Sequence, residues 1–81
     1  MDYYVYVLED VNGKKYKGIT NNLDRRLQEH RRGKTITTSK MKDIRVSYYE
    51  QYATFVEARA REVYFKTAAG RRFLKSKLLG Q

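Results

Sequence analysis

The chain is 81 residues long and 41% apolar, and its 18 lysines and arginines against 9 acidic residues give a formal charge of +9. That length makes one domain, 1–81; the absence of cysteine excludes disulfide staples and thiolate metal sites, and a single histidine makes zinc a poor fit. So much basic charge suits a polyanion, either nucleic acid or an anionic membrane surface, while the apolar run from Tyr3 to Leu8 is too short to span a bilayer and the acidic Asp2 stands where a leader peptide would be basic, so a cytoplasmic protein is expected.

Residues 3–9, Tyr-Tyr-Val-Tyr-Val-Leu-Glu, are aromatic and β-branched and predict a strand. Asn12-Gly13 signals a hairpin turn, and a second strand follows over 14–20. Asn21 and Asn22 are good helix caps, Leu23 and Leu27 are one turn apart, Asp24 suits the first turn, and Gly33 suits the end, so a helix is expected over about 22–32. Residues 33–43, with Thr35, Thr37, Thr38 and Ser39, lack apolar periodicity and read as a loop. A third strand is expected over 44–52. Thr54 with Glu57 has the capping-box form and opens a helix over about 55–68, with Val56, Ala60, Val63 and Thr67 as its inner stripe. Gly70 is expected to break it, and 71–79 forms a last helix with Phe73, Leu74 and Leu78 inward. The order β-β-α-β-α-α predicts an α/β (α+β) fold, a small three-stranded mixed or antiparallel sheet with flanking helices.

The hairpin register decides whether Tyr6 and Tyr16 share a face. A strict two-residue turn at Asn12-Gly13 puts them on opposite faces. A type I turn with Gly13 as a bulge residue pairs Asp10 with Lys14, sets Tyr16 opposite Leu8, and brings both hydroxyls to one side. The bulged form is expected. A tyrosine with the ordinary pKa of about 10 is a poor base at neutral pH, so nearby cations such as Lys15, Lys17 or Arg26 would have to lower it.

Each polar residue has a plain reading beside a chemical one. Tyr6 and Tyr16 fit as strand aromatics packing a small sheet. Gly18, on the face of Tyr16, marks either the approach of a ligand or a gap filled by a neighbouring ring. Arg26 and His30, four apart, stack on one helix face beside the Leu23/Leu27 stripe. There a guanidinium suits the charge that grows on phosphate oxygens, and the histidine is a proton carrier, a phosphate contact or a half-buried helix residue. Glu62 and Lys66 have the spacing of a surface i,i+4 pair. Lys40, Lys42, Arg45, Lys66, Arg71 and Arg72, with Lys17, Gly18 and Arg25, are expected to contact nucleic acid; Arg31 and Arg32 are solvated or touch phosphate.

Taken in order, Tyr4-Val5-Tyr6, Tyr16-Lys17-Gly18-Ile19-Thr20, Asn22-Leu23-x-x-Arg26-Leu27-x-x-His30 and Glu57-Ala58-x-x-x-Glu62 resemble the GIY-YIG nuclease domain over nearly the whole chain, and most closely its small stand-alone bacterial members. The resemblance implies a metal-dependent endonuclease that hydrolyses phosphodiester bonds in nucleic acid, DNA favoured. It makes Tyr6, Tyr16, Arg26 and His30 catalytic, one tyrosine assisting deprotonation of the attacking water and the other orienting it. Glu62 becomes the ligand of Mg²⁺ or Mn²⁺, which takes few protein carboxylates and keeps several waters. The chain departs from the pattern in having Tyr4-Val5 for Gly-Ile, Lys17 for Ile, and no asparagine after Asn22. No DNA-targeting module is attached, which leaves room for a targeting partner protein. The alternative is a non-catalytic module on the same scaffold that binds nucleic acid or a partner, with no membrane role.

Overall fold

A computed structural model describes residues 1–33 and 40–79, so the loop residues Thr35, Thr37, Thr38 and Ser39 lie outside the described residues. Strands β1 (Tyr3–Glu9), β2 (Lys15–Thr20) and β3 (Arg45–Tyr52) form one antiparallel sheet in the order β2-β1-β3. Helices α1 (Leu23–Arg31), α2 (Phe55–Phe65) and α3 (Ala68–Leu79) complete the order β-β-α-β-α-α.

The hairpin is the bulged one. Asp10 N–H donates to Lys14 O and Gly13 N–H to Asp10 O, each at 3.0 Å. Gly13 takes φ +82°, a left-handed conformation that glycine adopts without steric cost. The Asp10 carboxylate braces the turn, accepting from Asn12 N at 2.9 Å and Lys14 N at 2.8 Å. Burial would raise the pKa of this carboxyl, but those backbone donors outweigh it and hold it below the usual value. The resulting register sets Leu8 opposite Tyr16 and Tyr6 opposite Gly18.

Alternation along β1 divides the core in two. Val5 and Val7 face α2 and α3, where Ala58, Phe65 and Leu74 bury them. Tyr6 and Leu8 face the other way, packing with Ile44, Leu23 and Leu27 beneath α1. A second irregularity lets β3 serve both faces. Val7 pairs with Tyr48 and Leu8 with Val46, so Ser47 is the extra residue, its hydroxyl donating to Val7 O at 3.2 Å. Val46 thereby joins the α1 side and Tyr48 the α2/α3 side.

Helix α1 is anchored at both ends. Thr20 Oγ1 accepts from Asn22 N at 3.1 Å, fixing the strand-to-helix turn, and Asn22 Oδ1 caps Arg25 N at 3.0 Å. At the far end Gly33, with φ +72°, donates to His30 O, and Arg31 reaches Ile44 O through two donors at 3.1 and 3.2 Å.

Two expectations for α2 fail. Val56, Ala60 and Val63 are exposed, not inward, and so is Thr67, which lies beyond the end of α2. The inward stripe is Ala58, Arg61, Glu62 and Phe65, which has proper helical spacing but carries two charges. Arg61 pairs with Glu50 at 2.8 Å and its guanidinium lies 4.7 Å over the Tyr64 and Phe73 rings, so it roofs the aromatic cluster. Nor does Gly70 break a helix. Helix α2 ends at Phe65, Thr67 Oγ1 caps α3 by accepting from Gly70 N at 3.1 Å, and Gly70 lies in the first turn of α3. A Cβ there would stand 1.9 Å from Tyr64 O, so glycine is needed for α3 to meet the end of α2. Phe73, Leu74 and Leu78 do turn inward.

Candidate active site

Four of the residues singled out in the sequence meet between β1, β2 and α1. Tyr6 is 1% exposed and its hydroxyl lies 3.0 Å from His30 Nε2. Arg26 Nε donates to the same hydroxyl at 3.3 Å. The Tyr16 ring packs 4.9 Å from the His30 ring and 6.3 Å from Tyr6, centroid to centroid. The two tyrosines are not equivalent: Tyr6 is sealed and Tyr16 only half-buried. Gly18 has a packing reason. A Cβ there would lie 2.6 Å from the Tyr6 hydroxyl oxygen and 3.2 Å from the Tyr16 ring, so its hydrogen makes room for both phenols.

The electrostatics of the cluster follow from burial. Desolvation raises the Tyr6 pKa, and Arg26 only partly offsets it. The sequence expectation that neighbouring cations would lower this phenol is therefore reversed; Tyr6 stays protonated. His30, 1% exposed, has its pKa lowered, first by burial and then by the charge of Arg26. It is neutral at pH 7, so Nε2 is free of a proton when Nδ1 carries it. Arg26 can only donate to the Tyr6 oxygen, and with the Nδ1-protonated tautomer of His30 the phenol in turn donates to Nε2. Arg26 itself is held charged by Tyr6 and by Glu29, 3.0 Å away, with a smaller contribution from Tyr16.

Beside this cluster, at the free edge of β2, a cleft of about 510 Å³ runs from α1 to α2. Arg25, Arg26 and Glu29 form one wall, Glu62 and Arg59 the other, and Phe55 closes one side. Glu62 is 7% exposed, and its charge is near enough to contribute to the raised Tyr6 pKa. Its oxygens pair with Arg59 at 2.6 Å and Lys66 at 3.4 Å. Among the described residues no three His, Cys, Asp or Glu side chains gather around one point. Glu62 faces the cleft from one wall and Glu29 from the other, so a cation there would meet few protein carboxylates and hold most of its waters.

The basic residues divide between places. Arg25 lines the cleft, and Lys66 reaches it through Glu62. Lys17, Arg45 and Arg71 line a different, basic groove farther along β2. Lys40, Lys42 and Arg72 are exposed and line neither. Sequence reading missed Glu29, Phe55 and Arg59. The signal for Glu29 and Arg59 was their three-residue spacing from Arg26 and Glu62; Phe55 gave none, being an apolar residue beside a cap.

Comparisons with known proteins bear on the family and the fold. The model of the GIY-YIG catalytic domain matches residues 2–75. A UPF0213 protein of Bacillus pumilus is 39% identical over 67 residues, 82% of this chain and 68% of that protein. One from Bacillus licheniformis is 37% identical over 65 residues, 79% of this chain and 67% of its own. The solution NMR structure of a UPF0213 protein from Bacillus halodurans superposes with a TM-score of 0.58 at 30% identity, covering 94% of this chain and 84% of that one. The chain belongs to the GIY-YIG family, as a relative of the small UPF0213 proteins of Bacillus.

Proposed function

We propose that this protein is a metal-dependent endonuclease that hydrolyses phosphodiester bonds in nucleic acid, DNA favoured. The observation that carries the reading is the meeting of Tyr6, Tyr16, Arg26 and His30 beside a cleft that Arg26 shares with Glu62. The unequal burial of the tyrosines supports one division of the roles that the family resemblance leaves open. Tyr16, half-exposed, takes the attacking water and assists its deprotonation. Tyr6, sealed and protonated, fixes Arg26 and His30 in place. Arg26, charged throughout, faces the growing charge on the phosphate oxygens. Glu62 would hold Mg²⁺ or Mn²⁺, which when bound polarises the phosphoryl group and eases departure of the leaving oxygen. Arg25 and Lys66 guide phosphates toward the cleft, and Lys17, Lys40, Lys42, Arg45, Arg71 and Arg72 extend that contact outward.

One observation favours a second reading, a module that binds nucleic acid without cutting it. Both Glu62 oxygens are already paired, with Arg59 and Lys66, and a metal must displace them. The two readings separate in one assay: single-stranded, duplex and branched oligonucleotides with Mg²⁺ or Mn²⁺ at low salt, comparing the native chain with Tyr16→Phe and Glu62→Gln. Metal-dependent cutting that both substitutions abolish supports the nuclease. Cutting that survives both would sink it, and binding with no cutting of any substrate would establish the second reading.

A further inference from the structure

The other end of β2 carries a feature that the cleft does not use. A groove of about 650 Å³ lies between Lys15 and Lys17 of β2 and Arg71, Leu74, Lys75 and Leu78 of α3, with Arg45 at its end. Its single acid, Glu9, is occupied by Lys15 at 3.7 Å and Arg45 at 3.1 Å. Lys17, Arg71 and Lys75 have no acidic partner among the described residues. These cations crowd one another: burial lowers the pKa of Lys17, and the charges of Arg71, Lys15 and Lys66 lower it further. Like charges held together without a counter-ion destabilise the free protein, and a chain of phosphates relieves that repulsion while releasing its own counterions.

The shape narrows the ligand. The rim is cationic but the floor is aliphatic, Leu74 and Leu78. A cationic groove with an aliphatic floor suits a single strand whose phosphates meet the rim and whose sugars lie toward the floor; a duplex, broad and charged on its outside, can touch only the rim. The groove also lies in line with the cleft. Ile19 and Thr20 line the cleft, Lys15 and Lys17 line the groove, and all four belong to β2. Four residues of strand span about 13 Å, or about four nucleotides at the 3.4 Å spacing of a stacked strand. Lys66 bridges the interval, paired with Glu62 at the cleft and acting on Lys17 at the groove.

We infer that this groove is a second nucleic-acid subsite that holds a single strand continuing from the phosphate in the cleft. Its direction relative to the cut rests on the nuclease reading; its existence does not.

The test is binding without metal, so that cleavage plays no part. Anisotropy of labelled oligo-dT of 5 and 20 nucleotides, and of a blunt 20-base-pair duplex, is followed in EDTA over a salt series. Arg71→Glu/Lys75→Glu is compared with Lys14→Glu/Lys77→Glu, which makes the same charge change at exposed lysines that do not line the groove. The groove pair should weaken binding of the 20-mer tenfold or more and lower the salt slope by about 1.4, the share of two single-strand phosphate contacts. It should weaken duplex binding by a clearly smaller factor and exceed the control pair clearly. Equal losses for both pairs would reduce the groove to net charge and overturn the inference. Equal losses on strand and duplex would overturn its single-strand character, as would groove variants that lose binding to phosphatidylserine vesicles while keeping oligo-dT. Amide shifts in the native chain give a reading independent of variant folding: oligo-dT should move Lys15, Lys17, Arg71 and Leu74, and shifts confined to Ile19, Asn21 and Arg26 would count against the groove. A chain that binds this way but never cuts leaves the groove standing and removes the nuclease reading alone.

Discussion

Toward α2 and α3 the sheet presents Val5, Val7 and Ile19, and Ala58, Phe65 and Leu74 cover them. Toward α1 it presents Tyr6, Leu8 and Tyr16, and their cover includes His30 and Arg26. The same two strands and the same alternation thus build one core that is apolar and another threaded by hydrogen bonds. The first is apolar at its centre, with charge confined to the Arg61–Glu50 pair that covers it and to Glu62 at its cleft edge, and it carries stability. The second buries a phenol and an imidazole, which is tolerable only because each satisfies the other. Stability therefore rests mainly on the first side and most of the proposed chemistry on the second, with Glu62 reaching the cleft from α2, and substitutions on the two sides should separate most of one from the other.

The largest effect belongs to the apolar side. Phe65, fully buried and stacked on Phe73 at 6.1 Å, should lose about 3–5 kcal/mol as Phe65→Ala. Urea unfolding measures it, and, because Ala58 still pins the middle of α2, cleavage per folded molecule should fall far less than it does for Tyr16→Phe. A variant that remains stable but inactive would show that the two sides are not separable.

On the other side the order is reversed. Tyr6→Phe leaves a buried imidazole nitrogen and a guanidinium N–H without their shared partner, a cost of about 1–3 kcal/mol. Tyr16→Phe should barely affect unfolding yet cut the rate by about 10²–10⁴. The pair tests the division of labour: if Tyr6→Phe proved the more damaging to cleavage once folding is matched, the roles of the two tyrosines would have to be exchanged.

His30 makes the polar side sensitive to acid. Its pKa is lowered from 6.5 by burial and by Arg26. The unfolded chain therefore takes up a proton first as pH falls, so the contribution of a neutral His30 is complete above about pH 6.5 and is lost as pH drops through the folded value. One proton allows a slope of at most about 1.4 kcal/mol per pH unit. Protonation also turns Nε2 into a donor, facing a Tyr6 oxygen that already accepts from Arg26. Denaturation midpoints at pH 7.5 and 5.0 should differ more for the native chain than for His30→Gln; equal differences would remove the histidine from the account.

The sequence revealed the polar side more fully than the apolar one. Turn chemistry is local, so Asn12-Gly13 marks the hairpin, but it allows both a strict and a bulged turn; the bulge is expected because only it brings Tyr6 and Tyr16 to one face, and the structure has it. Arg26 and His30 were legible through helical spacing. What misled was hydrophobicity on α2, where Val56 and Val63 are exposed and the inner stripe holds Arg61 and Glu62. A charge that is buried against aromatic rings or a cleft looks like solvent-facing charge until its partners from distant segments are known. Gly70 misled for a related reason: its role is contact with the end of α2, and that approach is set by tertiary packing rather than by propensity.

The smallest effect compares two caps. Asn22 opens α1 and Thr54 opens α2, each through a side-chain oxygen that accepts a backbone N–H three residues on. Replacing either by alanine should cost about 1 kcal/mol. Their effects on cleavage should differ. Helix α2 is pinned along its length by Ala58 and Phe65, both fully buried, so Glu62 keeps its place when the first turn frays. Helix α1 has nine residues and buries only His30, and Arg26 sits one turn from the cap, with its own N–H bonded to Asn22 O at 3.1 Å. Fraying at Asn22 loosens Arg26 directly. Asn22→Ala should therefore lower the cleavage rate by more than its loss in unfolding free energy explains, while Thr54→Ala should leave the rate per folded molecule near native. Equal rates for the two variants would mean that Arg26 is held by Tyr6 and Glu29 strongly enough to ignore its own helix start.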